Sequence, residues 1–130
     1  MNPKRILLVE DEEFIRDIYK RQLEKAGYVV DGFRSGQEAL ASLSQINYDL
    51  ALLDIMLPDM NGLEILKKMK QNVVTKVIPV VMLTNLGQEE IIKEGFTLGA
   101  QGYLIKASYT PDQVVLEVNN ILGKTQPQTA

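Results

Sequence analysis

Leu50-Ala51-Leu52-Leu53-Asp54 holds the key to the fold. Four apolar residues run without alternation and end on a carboxylate. A strand that is apolar on every residue is buried on both faces, as strands of a helix-covered parallel sheet are. Four similar runs flank it: Ile6–Val9, Tyr28–Phe33, Val77–Leu83 and Tyr103–Ile105. Three of the four are nearly continuous; Tyr28–Phe33 carries Asp31 and Gly32 and reads as an edge strand.

Segments of helical period separate the runs. Phe14, Ile15, Ile18, Tyr19 and Leu23 are expected to share one face of a helix over 14–26. Ser35 to Glu38 has the form of a capping box, ahead of Ala39, Leu40, Leu43 and Ile46; Asn61 to Glu64 repeats it ahead of Ile65, Leu66 and Met69. A weaker helix spans 88–98, contains Gly95 and stops at Gly99. Thr110-Pro111-Asp112-Gln113 combines an N-cap, a proline in the first turn and a glutamine that reaches back. Strand–helix alternation, five times over, predicts a doubly wound α/β sheet with helices on both faces. One domain over 1–123 and a polar tail over 124–130 are expected.

Composition narrows the chemistry. The 130 residues contain no Cys and no His, which excludes disulfides, thiolate nucleophiles, imidazole bases and His- or Cys-ligated metals. Carboxylates, hydroxyls and Lys or Arg remain, and such ligands suit a hard cation such as Mg²⁺. Lys plus Arg number 14 against 17 for Asp plus Glu, a net charge of −3. That balance offers no global basic field for nucleic acid or anionic lipid. No apolar run approaches the ~20 residues of a membrane span, so a cytoplasmic location is expected.

Ligands of open α/β sheets bind beyond the carboxyl ends of the strands. The residues that follow the buried runs are Glu10 and Asp11, then Asp54, Thr84 and Lys106. Singly, each has an ordinary explanation: acids favour a helix N-terminus, and Glu12 and Glu13 are read that way. Together they deliver three carboxylates, a hydroxyl and an ammonium to one rim. Unit charges ~4 Å apart repel by about 4 kcal/mol at a near-surface dielectric. Lys106 offsets one of three negative charges, and one Mg²⁺ balances the rest.

The segments Ile6-Leu7-Leu8-Val9-Glu10-Asp11-Glu12, Leu52-Leu53-Asp54-Ile55-Met56-Leu57-Pro58-Asp59-Met60-Asn61-Gly62, Val81-Met82-Leu83-Thr84 and Gly99-Ala100-Gln101-Gly102-Tyr103-Leu104-Ile105-Lys106 occur in that order. On these residues the chain resembles the receiver domain of bacterial two-component response regulators, from Lys4 to about Leu122. The resemblance implies a flavodoxin-like sheet of order 2-1-3-4-5. It implies that Asp54 accepts a phosphoryl group from a phosphohistidine on a sensor kinase or histidine phosphotransfer protein. Asp11, Asp54 and the Met56 backbone carbonyl would hold Mg²⁺, with Glu10 acting through water. Lys106 and Thr84 would contact phosphoryl oxygens, and Tyr103 would be the switch aromatic. The readout surface would be the fourth helix, fifth strand and fifth helix, with a downstream protein as target. Catalysis would be limited to the domain's own phosphorylation and dephosphorylation.

Three departures from the family pattern stand out. Ala107 replaces the proline usual after the lysine, which favours a trans bond there, since cis before a non-proline residue costs ~2.5–4 kcal/mol. Asn85 is larger than the usual residue after Thr84. Gln101-Gly102 replaces the acidic pair of the subfamily that dimerises through this face. Met56 and Leu86, two residues beyond Asp54 and Thr84, cannot orient an attacking water, so slow self-dephosphorylation is expected. Two rival readings fit less well. A haloacid-dehalogenase-type phosphohydrolase wants a second Asp where Met56 stands, and a cap for which the chain has no room. A flavin or nucleotide carrier needs a phosphate-cradling loop where Glu10-Asp11-Glu12-Glu13 would repel one.

Overall fold

The computed structural model describes residues 3–123. The expected tail over 124–130 lies outside the described residues. Five strands, β1 (Arg5–Val9), β2 (Val29–Phe33), β3 (Leu50–Leu53), β4 (Val80–Thr84) and β5 (Gly102–Ile105), alternate with five helices, α1 (Glu13–Lys25), α2 (Gly36–Leu43), α3 (Gly62–Gln71), α4 (Glu89–Thr97) and α5 (Pro111–Ile121). All strand pairs are parallel, in the order β2-β1-β3-β4-β5. Val9 lies level with Leu53, and Leu53 with Met82, so the strand ends reach one rim together.

The pleat sorts each strand's side chains onto two cores. Leu7, Val9, Ala51, Leu53, Val80 and Met82 pack with Ala39, Leu43, Leu66 and Met69 of α2 and α3. Ile6, Leu8, Leu50, Leu52, Val81 and Leu83 pack with Tyr19 and Leu23 of α1 and Val114 and Val118 of α5. Burying each such aliphatic side chain contributes about 1.5–3 kcal/mol, which sets the layered order. Across this second core, the Tyr28 hydroxyl donates to Asn119 Oδ1 and ties α5 to the start of β2.

The caps form as their residues dictate. Ser35 Oγ accepts from Glu38 N–H at 3.2 Å. Both arms of the capping box close at Asn61/Glu64 and at Thr110/Gln113. Gly99 ends α4 at φ +107°, a conformation that favours glycine.

Four expectations need correction. Phe14 is 77% exposed and does not join the buried face of α1. It precedes Leu23 by nine residues, which at 3.6 residues per turn is about 180° out of phase. The run at Val77 is not strand until Val80, because Pro79 lends its carbonyl to Ala51 N–H at 3.0 Å but has no N–H to return. β5 is the second edge of the sheet, with only Leu104 buried, so its short apolar run reflects one covered face. α2 ends at Leu43, before Ile46, which packs onto the core from the following turn.

Asp31 on edge strand β2 is more than an edge marker. It accepts from Arg5 Nε at 2.9 Å and from the Tyr48 hydroxyl at 2.7 Å. Burial pushes its carboxyl up, but these two donors outweigh burial and hold it below the usual range. Burial, with Asp31 adding to it, pushes the Tyr48 phenol up to about 12.

Candidate functional site

The carboxyl rim gathers the residues read from the sequence. Glu10, Asp11 and Asp54 bring one carboxylate oxygen each to within 4.8 Å of one another. Glu10 is 2% exposed and Asp54 7%, whereas Asp11 faces solvent. Asp54 is fixed from both sides: its N–H donates to Val9 C=O at 3.1 Å, and its Oδ1 accepts from Ile55 N–H at 2.7 Å. Its other oxygen accepts from Lys106 Nζ at 2.8 Å. Lys106 also donates to Glu10 Oε1, while Glu10 Oε2 accepts from Glu12 N–H at 3.1 Å.

One ammonium thus serves two buried carboxylates. Burial works to lower the Lys106 pKa, but its hydrogen bonds to Asp54 and Glu10 outweigh burial and hold it above its ordinary value. Burial pushes the Glu10 carboxyl up despite its bond to Lys106. The two directions agree: Glu10 receives only part of a shared cation, whereas the cation receives two anions.

Thr84, 1% exposed, completes the floor, its Oγ1 accepting from Leu86 N–H at 3.4 Å. Asp11, Asp54, Met56, Thr84, Asn85 and Lys106 line one cleft of about 270 Å³. Met56 reaches it from a β3–α3 turn held by a bridge to Asn61. Tyr103 stands behind the cleft, half-buried, donating its hydroxyl to Leu86 C=O at 2.6 Å. The Lys106–Ala107 bond is trans, as expected, and a short 3₁₀ turn over Lys106–Ser108 still delivers the lysine to Asp54.

Other contributors were not read from the sequence. Asp59 accepts from Gly36 N–H at 2.9 Å and Gln37 N–H at 2.8 Å, so the loop after Asp54 caps α2 from outside its own segment. Arg16 donates to Glu10 C=O at 2.7 Å. Gly62 packs so closely under the acidic loop that a Cβ there would lie 2.0 Å from Asp54 C=O.

The carboxyl rim of this parallel sheet thus gathers three acids, a hydroxyl and a lysine. The family model for the response regulator receiver domain matches residues 6–119, and the chain belongs to that family. Over 123 residues it is 37% identical to the transcriptional regulatory protein ResD of Bacillus subtilis, covering 95% of this chain and 50% of that protein. Over 124 residues it is 39% identical to the transcriptional regulatory protein SrrA of Staphylococcus aureus, with 95% and 50% covered. The chain therefore spans about half the length of these curated relatives. Among solved structures it is similar to the chemotaxis protein CheY4 of Vibrio cholerae, at TM-score 0.86 and 30% identity over 92% of this chain and 99% of that one. A CheY-like receiver domain protein of Methanospirillum hungatei superposes at TM-score 0.88, with 32% identity over 95% and 96%. The chain is a receiver domain of two-component signalling, and its acidic pocket of Glu10, Asp11 and Asp54 fits the phosphorylation site of such domains. None of its described helices is long and apolar enough to cross a membrane.

Proposed function

We propose that Asp54 is the phosphoacceptor, taking a phosphoryl group from a phosphohistidine of a sensor histidine kinase or histidine phosphotransfer protein in the cytoplasm. The observation that carries this is the Asp54 carboxylate itself, at the floor of an open cleft, 2.8 Å from a half-buried lysine and beside two further acids. An Asp54 oxygen attacks phosphorus in line with the P–N bond, and the electron pair of that bond leaves with the imidazole. Lys106 is placed to follow the oxygen charge from carboxylate to phosphoryl, since it already donates to Asp54. Thr84 can offer its hydroxyl to another phosphoryl oxygen, because its present hydrogen bond uses it only as acceptor.

The donor set suits Mg²⁺: three carboxylates with mutually close oxygens, no nitrogen and no sulfur. Asp11, Asp54 and the Met56 carbonyl would hold it, with Glu10 through water; when bound it neutralises negative charge where the phosphoryl group arrives. The domain thereby catalyses only its own phosphorylation and dephosphorylation.

Output follows from the link behind the cleft. A hydroxyl of Thr84 drawn toward a phosphoryl group pulls on the turn that holds Leu86, to which Tyr103 is bonded. That shifts the α4–β5–α5 face between two populations, and a downstream protein reads it. The test is intact mass after incubation with Mg²⁺ and acetyl phosphate. One phosphoryl mass in the wild type and none in Asp54→Asn is expected; equal gain in both refutes the assignment.

A further inference from the structure

A second cleft of about 350 Å³ adjoins the first and shares Asn85 and Lys106 with it. Ile15, Ile18, Ala107 and Pro111 give it apolar walls. Tyr19 also lines it, although its side chain belongs to the core between α1 and the sheet and is only 6% exposed. Its hydroxyl makes no hydrogen bond to a described residue, yet it is not sealed from solvent. It lies near enough to Lys106, Glu10 and Asp54 to feel all three charges. Burial pushes the phenol up, so it is a neutral hydroxyl. Buried tyrosines ordinarily place the hydroxyl on a partner, and phenylalanine would fill this core volume equally well. A hydroxyl with no partner among the described residues, on a side chain that lines an apolar cleft, is an open position for a ligand's polar edge.

We propose that the Tyr19 hydroxyl binds the imidazole ring of the phosphodonor in this cleft, making the receiver prefer imidazole-borne phosphoryl groups to acyl phosphates. The proposal rests on Asp54 as acceptor and names what its donor must carry. The two clefts share the Asn85–Lys106 rim, so a ring that leaves an Asp54-bound phosphoryl across that rim meets the apolar walls. A planar ring suits those walls. The donor enters with a proton on its second ring nitrogen. As the Asp54 O–P bond forms and the P–N bond breaks, the electron pair stays on the first nitrogen, and neutral imidazole departs still carrying that proton. The Tyr19 oxygen accepts a hydrogen bond from this second N–H. Acetate, the leaving group of acetyl phosphate, has neither a ring for the walls nor an N–H for Tyr19.

The experiment compares Asp54 phosphorylation rates with monophosphoimidazole and with acetyl phosphate, at one Mg²⁺ concentration, in wild type and Tyr19→Phe. The ratio of the two rates is expected to fall about fivefold in the variant, the effect of one net hydrogen bond. An unchanged ratio overturns the proposal. A third arm uses a histidine phosphotransfer domain phosphorylated chemically with phosphoramidate. A fall there too supports the site for protein-borne rings, and a fall with the small donor alone supports it for free ones. Independently of any variant, imidazole added to the wild type should shift the ¹³Cζ resonance of Tyr19; no shift up to saturating imidazole counts against it. A wild type phosphorylated by no donor removes the acceptor reading and this one together, whereas normal phosphorylation with an unchanged ratio removes only this one.

Discussion

Replacing Asp11 with Asn should stabilise the domain when no divalent cation is present and abolish most of the stabilisation that Mg²⁺ brings. The acids are held close by the fold, with ligand oxygens within 4.8 Å of one another. At that separation two unit charges repel by ~3.5 kcal/mol at an effective dielectric of about 20, and by ~0.9 kcal/mol in water. Asp11 is exposed, so its two repulsions sit near the lower figure, and the Lys106 ammonium cancels about one of them. The net gain for Asp11→Asn is therefore about 1 kcal/mol, or roughly 3–5 °C in Tm for a domain of this size. Urea and thermal unfolding in EDTA measure it, with the urea m-value unchanged between the two proteins. In Mg²⁺ at ~100 times its Kd the wild type should gain about 2.7 kcal/mol, and the variant far less. The gain in EDTA should shrink as salt is raised. An Asp11→Asn protein less stable than wild type in EDTA, or equally stabilised by Mg²⁺, would refute both the charge accounting and the ligand assignment.

Other outcomes follow from single contacts. Gly62→Ala should cost about 3 kcal/mol or more in urea unfolding and slow phosphorylation, because its Cβ would meet Asp54 C=O at 2.0 Å, a backbone atom that cannot swing aside. Gly95→Ala should do the opposite and stabilise by about 0.5–1 kcal/mol, since its Cβ would sit at ordinary contact, 3.5 Å from the Tyr103 ring, inside α4. The folded Asp31 carboxyl titrates below its unfolded value, so its stabilisation is complete above about pH 5 and lost as pH falls through the folded pKa. As pH falls from about 5 through the folded pKa the wild type should therefore lose more stability than Asp31→Asn, read as urea midpoints; parallel losses would contradict it. Met56→Asn combined with Leu86→Glu should speed hydrolysis of the phosphorylated domain, followed by intact mass over time, because both side chains line the cleft and neither native one can hold a water. An unchanged hydrolysis rate would show that water is limited elsewhere.

Most of the fold and the inner site was legible in one dimension. Continuous apolar runs, capping residues and Gly99 announce themselves through neighbours three or four positions away. Each strand end carries its polar residue directly after the run, so a parallel sheet brings Glu10, Asp11, Asp54, Thr84 and Lys106 to one rim without further information. That is local pattern multiplied by a topological rule, and it is contained in the sequence.

What only the tertiary structure decided depends on phase and packing between distant segments. The rotation of α1 against the sheet sends Phe14 to solvent and brings Tyr19 to the cleft that Lys106 also lines. The path of the β3–α3 loop lets Asp59 cap α2. The position of β5 at the sheet edge leaves Tyr103 free to donate its hydroxyl to Leu86 C=O beside the cleft. Apart from Phe14, whose nine-residue offset from Leu23 puts it half a turn out of phase, none of these has a signal at fixed sequence spacing. Each is set by which of several sterically equivalent faces is buried, and that choice is made only when both cores pack at once.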